Sequence, residues 1–368
     1  MKHKHIVHEH GGVPDAAFER LNIPRRPVID FSVNISPIGP PERILSEWSS
    51  FSKHISAYPE IHGKGIVDYF SLTLNMEKES ILAGNGSVEC IYLVPRVLKL
   101  KRAGILLPSF HDYSRAFTLA GTRVRTHALN PDNGFKCPCP ADLSRILDQN
   151  DAIIIGNPNN PTGTLFDPEV ILESAERYRD RWFLVDEAFM PFVRCNEELT
   201  LTRADRIRTN ILVFRSLTKW YGLAGIRLGA VTGHPDTIAL LMRHKEPWTI
   251  NSIADQAARL LAGSEEYDRR LRELTASEQE RIYPVLQRIK GIDVFKPSAN
   301  FFFCEWRATN NLDDLIGPLL NRGIYVRDCR NFQGLNGNFF RFAIRLPDEN
   351  NMLIDALKAS AETLRKKQ

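Results

Sequence analysis

Between about Ile81 and Val231 the chain alternates short apolar runs with longer segments that mix apolar and charged positions. AGILL (103–107), TRVRTHAL (122–129), AIIIG (152–156), WFLVD (182–186), ILVFR (211–215) and IRLGAV (226–231) are, as a set, rich in Ile, Val and Leu. They are bounded by Gly, Pro, Asn or Asp and read as strands. Between them SVECIYLVPRVLKL, DPEVILESAERYR and HPDTIALLMRHKE carry helical patterns. Strands alternating with helices predict an α/β architecture, a mainly parallel sheet covered on both faces.

The pattern changes after Asn251. SEEYDRRLRELTASEQERIYPVLQRI is long, charged and helical, and it leads into FFFCEW, GIYVRDC and FFRFAIR, which read as strands. A last helix is predicted through NMLIDALKASAETLRKK. The expected organisation is a large domain over 41–250 and a smaller α+β domain over 251–368. Residues 1–40 have many prolines and glycines and little periodicity, and read as an arm joining the small domain.

The 368 residues are 43% hydrophobic and 25% charged, an ordinary balance for a soluble globular chain with a large core. The formal net charge of +4 is spread along the sequence rather than clustered. That fits small anionic ligands and argues against nucleic acid. No apolar run reaches the roughly 18 residues of a membrane helix, so no membrane partner is expected. The N-terminus MKHKHIVHEHGG lacks the apolar stretch of a signal peptide. The six cysteines are too dispersed for a disulfide framework, so a reducing, cytoplasmic setting is expected. Two features invite a metal: the CPC at Cys137–Cys139, and His3, His5, His8 and His10. No second ligand pair or acidic cluster joins either, and no metal is expected. Only His10 gains support, from the two glycines after it.

In open α/β sheets, ligands sit outside the carboxyl ends of the strands, and four features fall there. LAGNGSVE (82–89) is a glycine-rich turn opening a helix, with Ser87 expected as N-cap. Free N–H groups and the helix dipole favour a phosphate at such a place. GNPNNPTG (156–163) is a rigid loop that can aim an asparagine at a ligand oxygen. LVDEAF ends a strand with Asp186, which can cap a helix or pair with a cationic ring nitrogen. RSLTKWYGLAGIRLG (215–229) holds Lys219. A lysine nucleophile must be unprotonated part of the time, which calls for desolvation and a cationic neighbour. Arg227 supplies the neighbour and, with Ser216 and Thr218, a clamp for phosphate. A lone lysine is more often a surface charge; four such features at successive strand ends outweigh that reading.

In the order GNGSVE, NPNNPTG, DEAF and SLTKxxxxxGxRLG, these motifs resemble the fold-type I pyridoxal-phosphate enzymes of the class I/II aminotransferase group. The resemblance spans nearly the whole chain. It implies the PLP-dependent transferase fold, with a mainly parallel seven-stranded sheet in the large domain, pyridoxal 5′-phosphate as cofactor, and a homodimer. By the same match Lys219 bonds the cofactor aldehyde and Asp186 keeps the pyridine nitrogen protonated. Asn160 meets the ring oxygen O3′, and Phe110 in LPSFHDY stacks on the ring. Gly86, Ser87, Ser216, Thr218 and Arg227 hold the phosphate. Tyr58 in AYPE reaches the phosphate of the neighbouring subunit's cofactor.

Within the group, HGG (His10–Gly12), IDFSVNISPIGPP (29–41), EPWTIN (246–251) and FRFAIR (340–345) look like the threonine-phosphate decarboxylases of cobalamin synthesis. Phe189 in DEAF agrees, since many aminotransferases carry a tyrosine there. Ala224 departs from the pattern, standing where these decarboxylases usually have proline. The match implies Arg341 for the α-carboxylate, and Arg327 with His10 and Gly11 for the substrate phosphate. Asn34 would line the pocket. Arg345, four residues past Arg341, is expected on the same strand face, where it either joins the anion site or makes a structural salt bridge. The expected reaction is decarboxylation of an O-phospho amino acid, L-threonine O-3-phosphate or its serine analogue. The alternative is a histidinol-phosphate-type aminotransferase. A non-catalytic protein of the same fold is disfavoured by the intact Lys219.

Overall fold

The computed structural model describes residues 10–365, so His3, His5 and His8 lie outside the described residues. Its strands are β1 (Ile29–Asp30), β2 (Ile81–Asn85), β3 (Arg102–Leu107), β4 (Arg123–Ala128), β5 (Ala152–Gly156), β6 (Trp182–Asp186), β7 (Ile211–Ser216), β8 (Leu228–Gly233), β9 (Ile292–Val294), β10 (Phe301–Trp306), β11 (Ile324–Tyr325), β12 (Arg327–Asp328) and β13 (Phe339–Ala343).

A seven-stranded sheet runs in the order β2-β8-β7-β6-β5-β3-β4. Strands β3 to β7 are parallel, and β8 is antiparallel to both β7 and β2. Ile153, Phe183, Leu212 and Val231 are all buried, as strands covered on both faces require. LAGNGSVE departs from expectation. It is strand as far as Asn85, and helix Gly86–Val97 follows at once. The N-cap is Asn85, without a side-chain capping bond, so Ser87 stands in the first helical turn instead. Gly86, at φ +71°, makes the sharp strand-to-helix turn that replaces a side-chain cap.

A second sheet, in the order β12-β13-β10-β9, is antiparallel. Strand β11 pairs in parallel with β1, which comes from the N-terminal forty residues. Phe18, in helix Pro14–Arg20, and Phe31 are buried in one apolar cluster with Trp306, Leu319, Phe340 and Leu357. The N-terminal segment is therefore part of that core. Its helix and strand are too short to show a period in the sequence. In the long helix Glu265–Leu286, the Tyr267 hydroxyl lies 2.7 Å from Ser36 Oγ, 2.7 Å from Gly39 O and 3.0 Å from Trp220 O. It ties the N-terminal segment to the loop that carries Lys219. Among the described residues no helix is long and apolar enough to cross a membrane.

Candidate active site

Because β5, β6 and β7 are parallel, their carboxyl ends lie side by side. Gly156 is in register with Asp186, and Asp186 with Phe214. A cavity opens at this edge. Its walls include Ser87, Phe110, Asn160, Asp186, Ser216, Thr218, Lys219 and Arg227, with Val88, Tyr113, Pro158, Ala188 and Phe189. Eight residues singled out from distant parts of the sequence thus share one cavity.

Burial pushes the Lys219 amine down to about 8, with Arg227 and Arg341 adding to the shift and Asp186 opposing it. A neutral, nucleophilic amine is therefore accessible near physiological pH. Asp186 is buried, and burial raises its pKa. Three groups work against that: the Tyr113 hydroxyl, which donates to Oδ2 at 2.8 Å, the Ala188 N–H, which donates to Oδ1 at 2.9 Å, and Lys219.

An anion cradle lies at the start of helix Gly86–Val97. The Gly86 N–H donates to the Arg227 carbonyl at 3.1 Å. A Cβ on Gly86 would stand 2.4 Å from Arg227 Nη2, so glycine lets the guanidinium lie against the helix N-terminus. The hydroxyls of Ser216 and Thr218 are 2.8 Å apart on the facing wall. Free first-turn N–H groups, a guanidinium and paired hydroxyls are the donors that a phosphate requires.

Two arginines face each other on the second sheet: Arg327 of β12 is the direct register partner of Arg341 of β13. Both are buried. Like charges opposed in this way cost stability, and burial presses Arg341 down to about 10, with Arg327 contributing. Arg341 donates to Ser32 O at 2.9 Å and to Asn160 Oδ1, and lies 5.4 Å from the Phe301 ring centre. It has no carboxylate partner among the described residues, and its Nε is unpartnered there. Arg327 donates to Asn331 Oδ1 at 2.9 Å and to the Asp328 carbonyl, and lies 5.2 Å from the Phe332 ring centre. Asn34 is buried, with Oδ1 unpartnered among the described residues.

The HGG segment packs against Ser32. A Cβ on Gly11 would meet Ser32 O at 2.5 Å, and the Gly12 N–H donates to Ser32 Oγ at 2.7 Å. Ser32 O is also the Arg341 acceptor. His10 is thereby brought to 6.1 Å, ring centre to ring centre, from Phe110, with Nε2 3.8 Å from Asp112 Oδ2.

Two expected residues lie elsewhere. Strand β13 ends at Ala343, so the alternation that was to place Arg345 beside Arg341 stops short of it. Arg345 pairs with Glu349 at 3.0 Å and donates to Asp30 O at 3.2 Å, a structural bridge rather than a member of the anion site. Tyr58 is 85% exposed, packed on Trp248 with ring centres 5.2 Å apart, and is not on the cavity wall. Sequence reasoning missed Tyr113 on that wall, and the buried Glu187–Arg215 pair behind it. The signal for Tyr113 was a polar-tipped aromatic one turn after Phe110.

The sequence profile of aminotransferases of class I and II matches residues 26–357. The chain belongs to this family. The "Putative threonine-phosphate decarboxylase" of Caldanaerobacter subterraneus subsp. tengcongensis is 35% identical over 89% of each chain. The threonine-phosphate decarboxylase of Salmonella typhimurium is 30% identical over 95% of each. The crystal structure of the histidinol-phosphate aminotransferase from Clostridium acetobutylicum aligns with a TM-score of 0.82 at 28% identity, covering 90% of this chain and 99% of that one. The fold is thus the α/β fold of the PLP-dependent transferases, as the motifs implied, and the cofactor is pyridoxal 5′-phosphate. The cavity fits it: a lysine of lowered pKa, a buried carboxylate and a phosphate cradle with no room for a Cβ at Gly86.

Proposed function

We propose that this PLP enzyme decarboxylates an O-phospho amino acid, L-threonine O-3-phosphate or its serine analogue, in cobalamin-type biosynthesis. The observation that carries the reading is the pairing of Arg327 with Arg341 on adjacent strands. Two buried cations held side by side call for a substrate with two anionic ends, and a phospho amino acid has a carboxylate and a phosphate. The names of the Salmonella and Caldanaerobacter relatives support the same substrate class.

In this reading Gly86, Ser87, Ser216, Thr218 and Arg227 hold the cofactor phosphate, Phe110 covers the ring and Asn160 meets O3′. Asp186 keeps the ring nitrogen protonated. Bound there, the cofactor supplies an electron sink for the pair left at the substrate Cα. Arg341 takes the α-carboxylate, and Arg327, with His10 and Gly11, takes the substrate phosphate. Asn34 lines the pocket between them. Lys219 binds the cofactor aldehyde at rest. Displaced from the aldehyde by the substrate amine, Lys219 Nζ would carry the proton that Cα takes up once CO2 has left, a role suited to a pKa near 8. Phe189, packed 5.3 Å from Phe301, brings no hydroxyl to the cavity, unlike the tyrosine of many aminotransferases.

The likeness to the Clostridium structure favours a second reading, an aminotransferase of the histidinol-phosphate type. Incubation with L-threonine O-3-phosphate separates the two. Release of CO2 without keto acid is expected, and keto acid without CO2 would overturn the decarboxylase reading.

A further inference from the structure

Asp186 accepts two hydrogen bonds, and the side-chain donor has no role in the scheme above. Tyr113 stands in the first turn of helix His111–Leu119. Its hydroxyl donates to Asp186 Oδ2 at 2.8 Å. Its ring is buried and packs edge-on to Phe110, with centres 5.6 Å apart and planes at 81°. Gly156, the register partner of Asp186, leaves passage for the hydroxyl. A Cβ there would stand 3.3 Å from Tyr113 Oη and 3.1 Å from Asn159 Oδ1. Burial and the Asp186 charge hold the phenol well above its usual pKa, so it stays a neutral donor. It has one proton to give.

We propose that Tyr113 is a positioning residue that sets the orientation and basicity of the Asp186 carboxylate toward the cofactor ring nitrogen. The inference rests on the reading that Asp186 faces that nitrogen. A buried carboxylate is driven toward its neutral acid, and a neutral Asp186 cannot hold a protonated ring. A hydrogen bond donated to the carboxylate opposes this drive and is stronger for being charge-assisted. Without it Asp186 binds its own proton at higher pH, and the proton shared with the ring shifts toward the carboxylate. The bond also fixes rotation, because Oδ2 is tied to one helix while Oδ1 is tied to the Ala188 N–H.

The other charged groups nearby do not replace it. Lys219 acts on Asp186 from the loop after β7, and is itself acted on by Arg227 and Arg341. Glu187 is turned into an ion pair with Arg215 at 2.7 Å. Asp112 accepts from Tyr92 at 2.6 Å and raises the Tyr113 pKa further. Among the described residues, none of these donates a hydrogen bond to Asp186.

The test is the affinity of the apoprotein for pyridoxal 5′-phosphate, followed by intrinsic fluorescence as a function of pH. In Tyr113→Phe the acid limb of affinity moves to higher pH by about one unit, the loss of one charge-assisted bond. With the phospho amino acid, kcat falls about tenfold while KM changes less. Gly156→Ala keeps the tyrosine but crowds its hydroxyl, and moves the limb the same way by less. The cofactor's own titration is common to all variants and cancels in the difference. A limb that stays in place in both variants, with affinity lowered equally at every pH, overturns the proposal, because packing alone would do that. Asp186→Asn separates the two levels. If it abolishes the limb while the other variants leave it in place, the Tyr113 proposal fails alone. If Asp186→Asn itself leaves affinity and limb unaltered, the assignment of Asp186 fails. Should Tyr113→Phe not fold, Gly156→Ala decides.

Discussion

Lys219 carries a testable consequence of its surroundings. Its amine is depressed to about 8, first by burial and then by Arg227. A lysine with a lowered pKa is charged below that value and neutral above it, so reactivity toward an aldehyde rises with pH and levels off once pH passes about 8. The rate at which apoprotein regains the visible absorption of bound cofactor should follow that curve. Arg227→Gly removes the second cause of the shift without backbone strain, because Arg227 sits at φ +68°, a region glycine adopts freely. The midpoint should then move above about 8, toward the ordinary lysine value. An unmoved midpoint would show that Arg227 adds nothing to the depression. Lys219→Ala should bind cofactor without the lysine-dependent band. The motif around Lys219 was legible because lysine, hydroxyls and arginine are close in sequence. The depression was not, since it depends on how deeply the fold buries the amine.

The ends of β6 and β7 are locked together by a buried ion pair. Glu187 follows Asp186, and Arg215 precedes Ser216, so the pair binds the two strand ends that carry Asp186 and the Lys219 loop. Arg215 Nη1 meets Glu187 Oε2 at 2.7 Å, and Oε1 accepts the Leu201 N–H at 2.7 Å. Removing one partner leaves the other charge buried and uncompensated, a loss of about 3 kcal/mol or more. Glu187→Gln should therefore lower the urea midpoint strongly. The double variant Glu187→Leu with Arg215→Met should be more stable than the single one. A double variant less stable than Glu187→Gln would overturn this account. The strands themselves were easy to read, because burial on both faces filled them with Ile, Val and Leu. Glu187 and Tyr113 were not, because their partners meet across strand registers and a helix turn that no local pattern encodes. Ser87 was misread for the opposite reason: its sequence looks like a cap, but Gly86 turns the backbone without needing one. For Arg345 the sequence left two readings open, and the end of β13 two residues before it goes with the salt bridge to Glu349.

The site as proposed draws on distant parts of the chain: the cradle and lysine from the seven-stranded sheet, two arginines from the four-stranded one, and His10 and Gly11 from the N-terminal segment. Tyr58, expected at the cofactor phosphate, is not on its own chain's cavity wall. It is exposed and packs on Trp248, itself about half exposed. In a two-fold dimer the same patch serves both copies, so a residue outside its own chain's cavity can complete that of its partner. This can be read from mixed dimers. Tyr58→Ala and Lys219→Ala should each be severely impaired alone. In a mixed dimer, one site has Lys219 from the first chain and Tyr58 from the second, both intact, while the other site lacks both. Dissociating equal amounts and letting them reassemble at random makes half the dimers mixed, with one good site each. Activity should return to about a quarter of the wild-type level. If Tyr58 served its own chain, every site in the mixture would lack one residue or the other, and mixing would restore nothing. A wild-type chain that sediments as a monomer would refute the shared site outright.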